Sequence, residues 1–201
     1  MQIMKWKVVF VILLSIFLVI VFNKFDVLDA VLNQRKVGTA IDSLNGVKVY
    51  YNGKISNIEG RNTTKDGYNL GLKYQCVEFV KRYYYEYYHH KMPDSYGNAK
   101  DFFDVEVSDG EINEKRGLLQ CKQLSNYKPQ VGDLVILDGH KGNEYGHVAI
   151  VSKVSKNQIE IIQQNPGIAG KSREIFQLKS INDKWRIEHD RVLGWLRLRK
   201  S

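Results

Sequence analysis

The residues best equipped for chemistry are Cys76 and the histidines that could serve it. Cys76 lies in Gly71-Leu-Lys-Tyr-Gln-Cys-Val-Glu-Phe-Val-Lys-Arg-Tyr-Tyr84. Upstream, Asp66, Gly67, Asn69 and Gly71 are turn-type residues. Downstream, Val77, Val80, Tyr84 and Tyr87 recur at steps of three and four, the helical period. The pattern predicts a helix from Gln75 to about His90, with Pro93 just past its end. A thiol in its first turn meets unpaired N–H groups and the positive end of the helix dipole. Both favour thiolate, the nucleophilic form, and point to attack on an amide carbonyl. The plainer alternative is an inert cysteine buried on an apolar helix.

A cysteine nucleophile needs a base, and the base needs an orienting partner. The chain has five histidines. His89 and His90 fall at the far end of the helix, about 20 Å from its start at 1.5 Å per residue, and are excluded by distance. His140 lies in the Gly-rich loop Asp138–Tyr145. His189 stands between Glu188 and Asp190 in a charged segment. His147 opens the apolar run Gly146-His-Val-Ala-Ile-Val-Ser-Lys-Val154, where a strand would hold its direction. A turn centred near Lys156 sets His147 opposite Asn165 and Ala149 opposite Gln163 on one face. Directly opposed side chains have Cβ atoms about 5 Å apart. Asn165, Gln163 or both can therefore hydrogen-bond one imidazole nitrogen.

The elements that must position these residues are mostly short. Val47–Tyr51 alternates and ends at Asn52-Gly53, a strand entering a tight turn. Residues 54–70 read as loop. Tyr83, Tyr84, Tyr85, Tyr87 and Tyr88 should pack the helix against a sheet. Residues 97–103 suggest a second short helix, and 104–128 carry no clear period. Leu134–Leu137, Gly146–Val154, Gln158–Gln164, Arg173–Leu178 and Val192–Leu198 read as strands. Helices followed by an antiparallel run of strands are the α+β signature.

Length and composition bound the class. The 201 residues carry a formal charge of +8; with Lys5 and Lys7 set aside, the remainder from Lys24 onward carries +6. No basic run interleaved with aromatics suggests nucleic acid. Two cysteines make no disulfide scaffold, and both thiols are expected free, with Cys121 a small buried residue. Cys76, Cys121, His140 and His147 lack the close ligand pairs of a zinc motif, so neither metal nor cofactor is implied. Lys5 and Lys7 precede the apolar run Val8–Phe22, broken only by Ser15. A spanning helix needs about 20 apolar residues, and no small-x-small cleavage site follows. The reading is an uncleaved signal anchor or transmembrane helix over 1–25, a stalk over 26–44 and a catalytic domain over 45–201. The catalytic domain is then expected outside the cytoplasm, or secreted if the segment is cleaved.

Several stretches together resemble the CHAP domain, the cysteine- and histidine-dependent amidohydrolases and peptidases of papain-like fold. They are Lys73-Tyr-Gln-Cys-Val-Glu-Phe-Val-Lys-Arg82, Gly97-Asn98-Ala99, Pro129-x-x-Gly-Asp-Leu134, Gly146-His-Val-Ala-Ile150 and Gln164-Asn165. The first is similar to the amidase domain of bifunctional glutathionylspermidine synthetase/amidase. The resemblance covers about residues 45–198. It implies N-terminal helices packed on an antiparallel sheet, Cys76 as nucleophile, His147 as base and Asn165 as orienter of the imidazole. The Cys76 N–H, helped by the Gln75 region, would hold the oxyanion. Gln163 stands where many CHAP domains carry an acid, and Lys81 where the polyamine-conjugate amidases carry Arg.

Three functions follow as expectations. The first is a membrane-anchored thiol amidohydrolase or peptidase acting on peptidoglycan peptides or a similar small peptide amide. The second is a glutathionylspermidine-type amidase. The third is a CHAP-like module that binds cell-wall peptides without efficient catalysis, which the neutral Gln163 keeps in view. The sequence does not express an oligomeric state.

Overall fold

The computed structural model describes residues 12–15, 17, 35–167 and 170–199. The chain divides into two compact units, Met1–Lys36 and Val37–Ser201. In the first unit, residues 12–15 and 17 are helical. Everything below concerns the second unit.

Its spine is one antiparallel sheet built from β5 (Ile112–Asn113), β6 (Leu118–Lys122), β7 (Leu134–Leu137), β8 (His147–Val154), β9 (Gln158–Ile162), β10 (Arg173–Ile181), β11 (Lys184–Glu188) and β12 (Val192–Arg197). The order is β11-β10-β9-β8-β7-β12-β6-β5. Two ribbons stand apart from it: β1 (Ala40–Leu44) with β2 (Val47–Tyr50), and β3 (Arg61–Thr63) with β4 (Asn69–Leu72). A helix, α1 (Cys76–Tyr88), contacts β4, β8 and β2. Lys100–Phe102 forms a single 3-10 turn.

The central strands read as unbroken apolar runs because both faces of the sheet are covered. Successive side chains point to opposite faces. Accordingly Leu134 and Ile136 of β7, with Val148 and Ile150 of β8, join the core beneath α1. Val135 and Leu137, with Ala149 and Val151, join a second core that holds Trp195 and Phe176. From α1, Phe79, Val80, Tyr83 and Tyr84 enter the first core. The phenols find partners, as buried hydroxyls must. Tyr84 donates to the Gly132 carbonyl at 2.9 Å, and Tyr83 accepts from Asn45 at 2.8 Å.

The Pro129-x-x-Gly-Asp133 stretch is a structural latch. Asp133 is buried, accepts the Gln130 N–H at 2.8 Å, and pairs with Arg197 of β12 at 2.7 and 2.9 Å. Gly132 has φ 95°, and a Cβ there would lie 2.0 Å from the Tyr88 hydroxyl. Only glycine fits that approach.

Several expectations are corrected. The α+β arrangement with several N-terminal helices on a sheet is replaced by a predominantly β unit with, among the described residues, a single α-helix. The residues in front of α1 build the ribbons β1-β2 and β3-β4 instead, because Asn45-Gly46, at φ 48° and 86°, turns one hairpin. The strand at Val47 therefore pairs back through Asn45-Gly46, not forward past Asn52-Gly53. Residues 104–128 supply β5 and β6, and β11 lies between two expected strands. The expected transmembrane helix is not observed either: among the described residues, no helix is long and apolar enough to cross a membrane. Most of the run Val8–Phe22 lies outside the described residues.

Candidate active site

Cys76 is the first residue of α1, preceded by Gln75 in an extended conformation (φ −85°, ψ 161°). The chain reaches it along β4, pressed against the helix. Gly71 of β4 has φ 125°, and a Cβ there would lie 3.3 Å from the Glu78 backbone. The N–H groups of Cys76, Val77 and Val148 all bear on the sulfur and pull its pKa down. Burial outweighs them and pushes the thiol up. The thiolate expected from helix position alone is thus not the resting form. The side chain keeps part of its surface open, but the packed protein around the rest dominates.

The Val148 N–H is free to face sulfur for a reason of register. In an antiparallel ladder, alternate residues direct their N–H to opposite neighbours. Val151 donates to Asp133 on the β7 side at 2.8 Å, so Val148 directs its N–H towards the β9 side. There the ladder has ended: Ile150 pairs with Ile162, the last residue of β9. This is the register expected for a turn near Lys156. A bulge between Val151 and Lys153 shifts the outer half.

His147 opens β8 opposite Leu137. Its Nε2 lies 2.9 Å from Gln163 Oε1. The Gln163 amide is oriented by its other end, which donates to the Lys171 carbonyl at 3.0 Å and to Glu174 at 3.4 Å. Two acceptors there fix Oε1 towards the imidazole, so Nε2 must carry the proton. Nδ1 then holds the lone pair, as a base for Cys76 requires. Burial lowers the His147 pKa to about 4; Gln163 raises it in part and Arg191 lowers it further. Both members of the pair are therefore neutral at neutral pH. Among the described residues no hydrogen bond joins them; such bonds often tighten only when substrate is bound.

Asn165 is not brought onto His147. It sits at φ 57°, a left-handed position that asparagine tolerates. Its amide donates to Gln75 Oε1 at 2.6 Å and to the Ile55 carbonyl at 3.0 Å. Gln75 in turn donates to the carbonyls of Ile55 and Asn57 at 3.2 and 2.8 Å. The two amides fasten the 55–57 loop to the start of α1. With both N–H groups of Gln75 engaged, backbone donors are left to serve an oxyanion.

Sequence reading missed Gln164 and Glu78 as parts of this support. Gln164 is fully buried, donates to the Gln75 carbonyl at 3.0 Å and to Glu78 at 2.8 Å, and accepts from the Tyr50 N–H at 2.7 Å. Glu78 is also held by Arg82 at 2.6 Å and Asn62 at 2.8 Å. Both stand in motif stretches of the sequence, but nothing there assigned them a partner. Lys81, also buried, donates to the carbonyls of Asn69 and Ser95. Cys76, His147, Asn165 and Gln75 line one cleft of about 950 Å³. The cleft is completed by the 55–58, 95–99 and 140–146 loops. Asn143 donates to the Gly146 carbonyl at 2.9 Å within the 140–146 loop, and the Lys100 N–H donates to the Tyr145 carbonyl at 3.0 Å, tying that loop to the end of the 95–99 segment just before His147.

Known proteins are similar to this chain over part of its length. The chain is 27% identical to trypanothione synthetase of Crithidia fasciculata over 119 residues, 59% of this chain and 18% of that protein. It is 32% identical to bifunctional glutathionylspermidine synthetase/amidase of Escherichia coli (strain K12) over 102 residues, 48% of this chain and 16% of that protein. The chain thus spans about a fifth or less of these relatives. A solved structure described as Ly7917 with the hydrolyzing product of MDP aligns with TM-score 0.40 and 21% identity over 62% of this chain and 54% of that one, a likeness too slight to carry an argument. The CHAP domain family matches residues 65–165, half of the chain, from the turn before β4 to Asn165. With Cys76 and His147 both inside that span, the chain belongs to the CHAP domain family.

Proposed function

We propose that the protein is a cysteine-dependent amidohydrolase or peptidase acting on an amide bond of peptidoglycan-type peptides. The observation that carries this reading is the shared cleft: a helix-start thiol and an imidazole whose free nitrogen is Nδ1 both line it. Cys76 attacks the carbonyl carbon while its proton passes to His147 Nδ1. As the C–S bond forms, the carbonyl C=O π electrons move onto oxygen, so the charges that develop are the oxyanion and the His147 imidazolium. Backbone N–H groups at the start of α1 hold the oxyanion, each worth about 3–4 kcal/mol in proteases. His147 then protonates the leaving amine. Water, activated by the same imidazole, releases the acid and restores the thiol. Gln163 orients the imidazole through Nε2–H, and Asn165 braces Gln75 and the 55–57 loop. Such a substrate would place the protein at the cell wall.

A second reading, a glutathionylspermidine-type amidase, is favoured by the similarity to the synthetase/amidase of Escherichia coli. Hydrolysis of muropeptides and of glutathionylspermidine by the full chain, followed through released amines, separates the two. Iodoacetamide labelling in parallel is expected to modify Cys76 before Cys121 and to slow in His147→Ala. Failure to cleave either substrate, with no dependence of labelling on His147, would point to a peptide-binding module instead.

A further inference from the structure

One wall of the cleft carries cationic groups that the proposed chemistry does not use. Arg61 of β3 lies opposite Leu72 of β4, four residues before Cys76, and both line the cleft. Its guanidinium is exposed but not adrift. Arg61 Nη1 donates to Asn69 Oδ1 at 3.0 Å. Asn69 is itself buried and donates from Nδ2 to the Ser95 carbonyl at 2.8 Å. A side chain held at one end in this way loses less freedom when the rest of its donors bind.

Among the described residues, Arg61 has no carboxylate partner, whereas Arg82, Arg173, Arg186 and Arg197 each form an ion pair. Its surroundings are also cationic. Lys81 reaches the Asn69 carbonyl from below, and Arg116 lies behind the same wall, bonded to the carbonyls of Asp94, Tyr96 and Asp101. Burial lowers the Lys81 pKa to about 8; Arg116 and Arg61 push it down further, against the pull of Asp94. Asp94 and Asp101 balance the buried cations, and each is engaged with a backbone N–H of the 94–98 loop. On the cleft surface the remaining charges are Lys141 and one acid, Glu144, both on the 140–146 loop. Arg61 is thus an unpaired fork, held at Nη1, on the lining of the cleft that would receive the substrate. Planar guanidinium matches a carboxylate through two parallel hydrogen bonds.

We propose that Arg61 binds a free carboxylate on the substrate, so that the cleft selects anionic peptides and disfavours polyamine conjugates. This rests on the amidohydrolase reading for its kinetic readout and extends it to substrate class. Arg61 is a specificity residue on the β3-β4 ribbon, apart from Cys76 at the start of α1 and His147 at the start of β8.

The test uses the full chain and one peptide in two forms, a free carboxylate and its carboxamide. The wild type is expected to prefer the carboxylate. In Arg61→Gln, KM for the carboxylate form should rise about 10-fold to 100-fold, with kcat within about threefold and the carboxamide unaffected. Arg61→Lys should recover part of the loss, since charge returns without the fork. Equal losses on both forms, or a wild type indifferent to the carboxylate, would overturn the proposal. A second readout is calorimetric binding of the uncleaved peptides to Cys76→Ala, with and without Arg61→Gln. Arg61-dependent binding without hydrolysis by the wild type would sink the amidohydrolase reading and leave carboxylate recognition standing. Binding blind to Arg61 would sink the latter.

Discussion

Cys76 and Cys121 are the two thiols of one chain, and both are pushed up by burial. Their surroundings differ in kind. Cys121 lies in β6, fully buried, paired across the ladder with Trp195. Its thiol is raised to about 12, with Arg197 and Ser125 offering only partial relief. Cys76 stands at a helix start, with three backbone N–H groups around its sulfur and part of its surface in a cleft that also holds His147. The difference teaches that resting pKa direction does not separate the two thiols. Access to the cleft, and a shared cleft with an imidazole whose Nδ1 is free, do.

The comparison breaks most sharply by substitution. Cys76→Ser is expected to lower kcat/KM by at least about 1000-fold, whereas Cys121→Ala leaves it within about twofold and costs roughly 1 kcal/mol of stability. Steady-state kinetics and chemical denaturation of both variants check this; comparable activity losses would erase the distinction. Next in size is the latch beside Cys121. Arg197→Ala strands Asp133 as a buried, unpaired carboxylate and should cost about 3–5 kcal/mol, read as a lower denaturation midpoint. Any activity that remains should keep its pH profile, because His147 does not depend on this pair. The smallest effect sharpens the Cys76 side. The acid limb of kcat/KM should fall near pH 4, because below it His147 is protonated and takes no proton from Cys76. Gln163→Glu replaces a neutral partner with one that stabilises imidazolium, so the His147 pKa rises. The limb then moves to higher pH by at least about one unit, with less than about tenfold change at pH 7. A limb that stays in place would remove Gln163 from contact with the base.

The comparison also shows which features were legible. β7 and β8 were readable because strands buried on both faces are unbroken apolar runs, and such runs need no knowledge of their neighbours. α1 was readable from its period and from the glycine and asparagine residues before it. β3, β4 and β5 are two to four residues long and partly polar, and a segment of that length shows no period until its partner is known. β1 was assigned to a stalk over 26–44, although Asn45-Gly46 was a hairpin signal in plain view.

The site divides along the same line. Residue types and spacing singled out Cys76 and His147 as candidates, because a thiol at a helix start and an imidazole at a strand start are local statements. The hairpin register, too, followed from one turn. What local pattern could not decide was where β9 leaves the ladder. Its pairing ends at Ile162, so Gln163 turns to the imidazole, Gln164 goes under the helix to Glu78, and Asn165 swings to Gln75. Gln163 and Gln164 still alternate between the two faces, continuing Ile161 and Ile162, and Asn165, at φ 57°, breaks the alternation and takes a third partner. Only the tertiary packing of α1 and the 55–57 loop against that end supplies the partners. The same packing decided that burial outweighs the helix terminus at Cys76, since desolvation depends on atoms brought in from β8, which the Cys76 sequence does not contain.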